Sequence, residues 1–182
     1  MSQTIVIFGS SSLLVSNPTY QEGILLGAML AKQGFRILSG GYDGIMGAVS
    51  QGAAEAGGQA IGITSKTFDF RAGPNPWLTK QIEAEGTIDR LKALIGGADA
   101  AIAMPGNIGT LNEVIMVLTL WKTQESSLPM IAWRDPFYRV IDNLVQLELI
   151  PAEFQSRVLF VDNSAQALEG IKKVLWFLRS LG

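Results

Sequence analysis

The stretch Ala98-Asp99-Ala100-Ala101-Ile102-Ala103-Met104-Pro105-Gly106-Asn107-Ile108-Gly109-Thr110-Leu111-Asn112-Glu113 decides how this chain is read. It passes from a small, apolar, strand-like run through a turn broken by Pro105 and Gly106 into a helix with a carboxylate, Glu113, in its first turns. A helix that starts directly after such a turn presents unpaired backbone N–H groups and the positive end of its dipole above the strand ends. That is a place to hold an anion.

On the N-terminal side, residues 4–8 form a β-branched apolar run, as expected for a strand covered on both faces. The run ends in Gly9-Ser10-Ser11-Ser12, a small hydroxyl-rich loop. After Asn17-Pro18, the apolar spacing of Ile24, Leu25, Ala28, Met29 and Ala31 predicts a helix over 20–33, stopped by Gly34. A short strand at 35–38 runs into Ser39-Gly40-Gly41-Tyr42-Asp43-Gly44-Ile45-Met46-Gly47, followed by a helix to about residue 56 and a third strand at 59–64. Residues 65–80 are long, aromatic and Pro-rich, with Phe68, Phe70, Arg71, Pro74, Pro76 and Trp77, and read as either a lid or a packed surface excursion.

A brief fourth strand is expected at 82–84 and a helix at 87–95. The opening stretch supplies the fifth strand and a helix over 109–122. Further strands at 129–133 and 158–161 and helices over 136–147 and 164–181 complete the pattern, with Ser164 as an N-cap. Regular strand–helix alternation predicts an α/β fold, Rossmann-like and doubly wound, with a mostly parallel sheet and helices on both faces. No repeat, low-complexity tract or linker divides the 182 residues, so residues 1–182 are expected to form one domain.

Composition narrows the chemistry. The chain has no Cys and no His. Disulfides, thiolate metal sites, Ser-His-Asp triads and His-ligated zinc are thereby excluded, and no metal or cofactor is expected. The lack of Cys fits a reducing, cytoplasmic setting. With a net charge of −2 there is no broad basic surface for nucleic acid. The apolar runs fall short of the ~20 residues of a membrane helix, and no basic-then-apolar secretory signal opens the chain. Catalysis would rest on carboxylates, Arg, Lys, Tyr, hydroxyls and backbone dipoles.

Two Gly-rich turns, at 39–47 and 105–110, follow strands and are expected to face one crevice beyond the strand ends. Neither matches the dinucleotide fingerprint or the Walker A pattern, and no Gly-Lys-Ser/Thr sequence occurs. Hydride transfer and nucleoside triphosphate hydrolysis are disfavoured.

Taken together, Gly40-Gly41-x-x-Gly44-x-Met46-Gly47, Arg90, and Pro105-Gly106-Asn107-x-Gly109-Thr110-x-x-Glu113 resemble, in order and spacing, the Lonely-guy (LOG) family of cytokinin-activating nucleoside 5'-monophosphate phosphoribohydrolases. Many members carry an older "lysine decarboxylase-like" label. Nothing in the chain marks a pyridoxal phosphate lysine. The resemblance runs from Ile5 to about Leu147 and is closest to small prokaryotic members. It implies that Arg90 and Glu113 are the catalytic pair, and that Pro105, Gly106, Asn107, Gly109 and Thr110 hold the 5'-phosphate at the helix start. It further implies that Gly40, Gly41 and Gly44 let backbone approach the nucleotide, that Ser10 and Ser11 belong to a loop contacting it, and that the protein is a homodimer.

The implied activity is release of the base from AMP or an N6-substituted AMP, leaving ribose 5-phosphate. Such a reaction passes through an oxocarbenium-like state that a carboxylate stabilises, analogous to glycoside hydrolysis. Two departures stand inside the motifs. Asn107 occupies a family Gly position, where Asn is the residue that best tolerates a left-handed backbone. Leu91 stands where the family commonly has Lys, and Lys92 could replace that charge only if the helix rotated. These departures keep a second reading open, a Rossmann-like carrier or sensor that binds a nucleotide or phosphate ligand without turnover. Outside the family motif, Arg90 also reads as a surface residue paired with Glu85 or Asp89, Glu113 as a simple partner of the helix dipole, and Tyr42 and Asp43 as turn residues. Trp121, Trp133 and Phe137 are expected in the core or at a subunit interface.

Overall fold

The computed structural model describes residues 2–68 and 73–180. In chain order the strands are β1 (Thr4–Phe8), β2 (Arg36–Ser39), β3 (Ala60–Ser65), β4 (Lys80–Ala84), β5 (Ala100–Ala103), β6 (Met130–Trp133) and β7 (Val158–Val161). The helices are α1 (Pro18–Lys32), α2 (Ile45–Glu55), α3 (Thr87–Gly96), α4 (Ile108–Thr123), α5 (Arg134–Gln146), α6 (Glu153–Arg157) and α7 (Ser164–Ser180), with one 3-10 turn at Lys66–Phe68.

The strands form one sheet in the order β4-β3-β2-β1-β5-β6-β7. All six neighbouring pairs are parallel, so the sheet is wholly parallel among the described residues. β1 lies beside β5 in the register Ile5↔Ala100 to Phe8↔Ala103. From β1 the chain steps outward to β2 and β3, and from β5 it steps the other way to β6 and β7. Right-handed crossovers therefore put α1 and α2 on one face and α4 and α5 on the other. α7 returns to pack on α1, its first residue tied there by Ser164 N–H to Glu22 Oε2 at 2.9 Å. The direction of winding reverses between β1 and β5, and the loops after these strands open the crevice used by doubly wound folds.

The central strands show why an unbroken apolar run predicts a covered strand. Ile5, Val6, Ile7 and Phe8 are buried, as are Ala100, Ala101, Ile102 and Ala103. α1 and α2 cross at very short range, because a Cβ on Gly27 would sit 2.1 Å from the Val49 carbonyl oxygen and one on Gly52 1.9 Å from that of Ile24. α1 starts earlier than its apolar spacing predicts, since Asn17 caps it by accepting the Thr19 N–H at 2.8 Å.

Other boundaries also move. β4 begins at Lys80, two residues ahead of the apolar signal, because it is an edge strand with Lys80, Gln81, Ile82 and Glu83 exposed. α6 was not expected, as five residues are too few to show a helical period. Phe70 and Arg71 lie outside the described residues; residues 73–79 are mostly exposed but are tied to the sheet and to the turn after β2 at two points. Thr79 N–H donates to Ala60 O at 2.8 Å, and Asn75 N–H to Gly41 O at 2.9 Å. Trp121, Trp133 and Phe137 are all buried. No described helix is long and apolar enough to cross a membrane.

Candidate active site

The turns after β1, β2 and β5 are joined by the backbone of Ser10. Its N–H donates to Pro105 O at 3.2 Å, and its carbonyl accepts the Ile45 N–H at 2.8 Å, at the start of α2. Its hydroxyl accepts the Ser12 N–H at 3.2 Å. Ser10 is thus a buried strut, while Ser11 lines the cavity above it. Gly44 packs under the same junction with φ 66°, its Cβ position 2.2 Å from Ser10 O.

The cavity encloses about 220 Å³ and is walled by Gly9, Ser11, Tyr42, Met46, Thr87, Arg90, Leu91, Asn107, Ile108, Gly109, Thr110, Asn112 and Glu113. At roughly 10–15 Å³ of such space per water, it has room for many water-sized groups and not merely a lone ion. Of the residues singled out in the sequence, Arg90, Glu113, Ser11, Asn107, Gly109 and Thr110 meet here. Ser10, Gly40, Gly41, Gly44, Pro105 and Gly106 lie behind the wall and shape it. Tyr42, Met46, Thr87 and Asn112 were not singled out as site residues. Asn112 was detectable, since it lies three residues after Gly109 and so on the same helical face.

One wall is the N-terminus of α4. Its first backbone N–H groups have no intrahelical acceptor, and the N-cap, Asn107, makes no capping bond with its side chain. Asn107 is extended, with φ −103° and ψ −156°, so this position does not need the left-handed backbone that Gly or Asn would favour. The Thr110 hydroxyl is buried and has no hydrogen-bond partner among the described residues. A Cβ on Gly106 would fall 2.1 Å from that oxygen, so glycine is what lets the turn close over Thr110.

The opposite wall carries Arg90, brought in by α3. Its Nε donates to Ile63 O at 2.8 Å, and its Nη2 lies 3.8 Å from Met46 Sδ. A Cβ on Gly40 would overlap Nη2 at 1.6 Å. The room beside Gly40 is therefore occupied by the guanidinium. Of the residues considered from the sequence as its partners, Glu85 is bound by Lys66 at 2.6 Å, while Arg90 Nη1 faces Glu113 Oε1 at 3.8 Å. That gap is too long for a direct hydrogen bond, so the attraction is coulombic.

Glu113 comes from the second turn of α4 and is buried. Burial pushes its pKa up to about 7, against the lowering pull of Arg90. A carboxyl group that changes charge near neutrality is suited to act as a general acid or base. Leu91 is buried and also lines the cavity, where it adds no charge. Lys92 lies instead in a neighbouring groove with Ile88, Leu91, Ile95, Met116 and Leu120, so it does not replace the missing lysine. No group of three or more acidic side chains able to hold a metal occurs among the described residues.

Comparison with known proteins gives the same pattern a context. A family model described as "Possible lysine decarboxylase" matches residues 46–171. The chain is 30% identical over 157 residues to the cytokinin riboside 5'-monophosphate phosphoribohydrolase LOG of Oryza sativa, covering 82% of this chain but 64% of the rice protein. It is 27% identical over 181 residues to the phosphoribohydrolase of the same name from Mycobacterium tuberculosis, covering 92% of this chain and 97% of that one. Among solved structures, the molybdenum cofactor binding protein of Rippkaea orientalis superposes with a TM-score of 0.74 at 26% identity, covering 96% of this chain and 98% of that one. The molybdenum cofactor carrier protein of Chlamydomonas reinhardtii shares the fold at 19% identity and a TM-score of 0.76. With the match spanning the α4 turn, Arg90 and Glu113, the chain belongs to the LOG family, the group whose family model carries the lysine decarboxylase description.

Proposed function

We propose that the protein hydrolyses the N-glycosidic bond of a purine nucleoside 5'-monophosphate, AMP or an N6-substituted AMP, to the free base and ribose 5-phosphate. The observation that carries this reading is the buried Glu113 carboxylate facing Arg90 at 3.8 Å beside an uncapped helix N-terminus. In this reading the phosphate accepts hydrogen bonds from the N–H groups that open α4 and from the Thr110 hydroxyl. Ionised Glu113 stabilises the oxocarbenium-like sugar or draws a proton from the attacking water, and Arg90 holds the carboxylate in place. The names of the rice and mycobacterial relatives support the reaction class.

The test is base release from AMP and a panel of other monophosphates, by the wild type and by Glu113→Ala. Loss of one such electrostatic contact is expected to lower kcat by about 10²–10³. Absence of ribose 5-phosphate from every monophosphate overturns the hydrolase reading.

A second reading is a carrier or sensor without turnover. It is favoured by Leu91 in the cavity wall and by the 26% identical cofactor-binding protein that matches nearly the whole chain. In that case AMP, or the molybdenum cofactor, raises the melting temperature while no product forms. Failure of both to shift the melt counts against it.

A further inference from the structure

Within the mostly exposed stretch 73–79, Asn75 is the one buried residue, at 4%. Pro74 and Pro76 flank it. A proline fixes its own φ and holds the residue before it to extended backbone, so Asn75 is presented from a stiff segment. Its side-chain oxygen accepts the Trp77 N–H at 3.1 Å, an Asx turn that shapes the excursion itself. Its donors point the other way, to the Gly-rich turn after β2. The main-chain N–H donates to the Gly41 carbonyl at 2.9 Å and Nδ2 to the Tyr42 carbonyl at 3.1 Å. A longer contact runs from Nδ2 to Ser50 Oγ at 3.5 Å, and Ser50 donates to the Met46 carbonyl at 2.8 Å.

One residue thus takes two consecutive carbonyls of a turn that belongs to no helix or strand. Gly41 and Gly44 have φ of 78° and 66°, so no regular ladder of hydrogen bonds sets the path of the chain there. From the strand side, Ser39 Oγ accepts the Gly41 N–H at 3.3 Å. The same few residues shape the cavity, since Tyr42 and Met46 line it and a Cβ on Gly40 would lie 1.6 Å from Arg90 Nη2. A buried carbonyl that loses its donor moves to find another. Displacement of this turn is therefore felt at the cavity wall and in the space around the guanidinium.

We propose that Asn75 is a positioning residue that clamps the Gly41–Tyr42 peptide, so that the excursion between β3 and β4 sets the cavity wall bordering Arg90. Its consequence for turnover rests on the Arg90–Glu113 pair being the working pair of the site.

The experiment compares full-length Asn75→Ser with Thr79→Val. Serine can accept the Trp77 N–H as asparagine does and keeps the main-chain bond to Gly41, but its shorter side chain gives up the bond to the Tyr42 carbonyl. Thr79 ties the far end of the same excursion, its hydroxyl accepting the Ala60 N–H and donating to the Ala60 carbonyl, each at 3.0 Å. Thr79→Val therefore loosens the excursion at the start of β3, the end of the strand away from the cavity. Glu113 is titrated by NMR of carbon-13-labelled glutamate, and turnover is measured with AMP beside a thermal melt. Both variants are expected to melt below wild type. Asn75→Ser alone is expected to move the Glu113 midpoint upward, as the wall around Arg90 relaxes, and to lower kcat about tenfold or more with a smaller change in KM. Should Asn75→Ser fail to fold, Asn75→Leu matches the branched shape without a donor or a charge, and the same two changes are expected of it. An unchanged midpoint in whichever variant folds, or an equal change in Thr79→Val, overturns the proposal. The titration needs no turnover, so a wild type that releases no base from AMP ends the hydrolase reading while the role of Asn75 is still decided.

Discussion

At the scale of single residues, the site turns on one buried carboxylate whose charge changes near neutral pH. Because the folded pKa of Glu113 is raised from 4.5 to about 7, the folded state binds more protons than the unfolded chain between those values. Its contribution is present in full below about pH 4.5 and is lost as pH rises to about 7. Glu113→Gln, which stays neutral, is expected to remove that slope. The stability of the variant relative to wild type should rise between pH 5 and pH 8 by an amount on the order of 1–3 kcal/mol, measured by urea unfolding. The activity profile runs the other way. If the ionised carboxylate is the working form, kcat for base release climbs with pH through about 7, and a rate flat from pH 5 to pH 8 removes that assignment.

Gly40 belongs to the same scale. A methyl group there would lie 1.6 Å from Arg90 Nη2, so the guanidinium has to move. Gly40→Ala is expected to raise the Glu113 pKa and to cost about tenfold or more in kcat, with the melting temperature lowered by only a few degrees. NMR titration beside a thermal melt separates the two effects. The residue types of this site were legible in the sequence, because Arg90 and Glu113 stand at recognisable motif positions. The role of Gly40 was not. Its neighbour in space is fifty residues away in sequence, and a glycine that makes room for a side chain looks, in one dimension, like a glycine that makes room for a ligand.

At the scale of elements, α4 joins fold and chemistry. Its N-terminus stands over the reversal point between β1 and β5, and Asn107 leaves it without a side-chain cap. Asn107→Asp would place a carboxylate at the positive end of the helix, a change that is neutral or favourable for the helix itself. The same charge would repel a phosphate in the cavity that Asn107 lines. The expected outcome is a melting temperature equal to or above wild type together with a KM for AMP raised about tenfold. A variant that keeps its KM argues against phosphate at this helix end. Most elements were legible because a parallel sheet buries strands on both faces and leaves apolar runs that sequence displays directly. Those missed or trimmed lacked that signature. β4 is an exposed polar edge, α6 spans less than two turns, and the first turn of α1 is set by the Asn17 cap and not by apolar spacing.

At the scale of the molecule, the cavity does not stand alone. Leu91 lines both the polar cavity and the apolar groove between α3 and α4, which Ile95, Met116 and Leu120 also line. Around this shared wall the surface displays Ile88, 83% exposed, and Ile108, 78% exposed, two large aliphatic side chains that a monomer gains nothing by showing to water. A homodimer is the assembly expected for the family, and this is the face on which a second copy would cover them. α4 contributes less to such a contact than its composition suggests, because Val114, Val117, Leu118 and Trp121 turn into the protomer's own core. Met116 and Leu120 are the α4 residues that line this groove and would meet a second copy seated there. Replacement of Leu120 by Glu adds a charge to the groove without entering the cavity wall. The wild type is expected to elute at twice its 19.6 kDa mass and Leu120→Glu at that mass, judged by light scattering behind a sizing column. Because Leu91 and Ile108 border the cavity proposed to hold the nucleotide, uncovering them should also loosen its rim, so AMP affinity should fall in the monomeric variant although no residue of the Arg90–Glu113 pair has changed. A monomeric wild type at micromolar concentration would refute the assembly, and a monomeric Leu120→Glu with unaltered AMP affinity would separate the groove from the site.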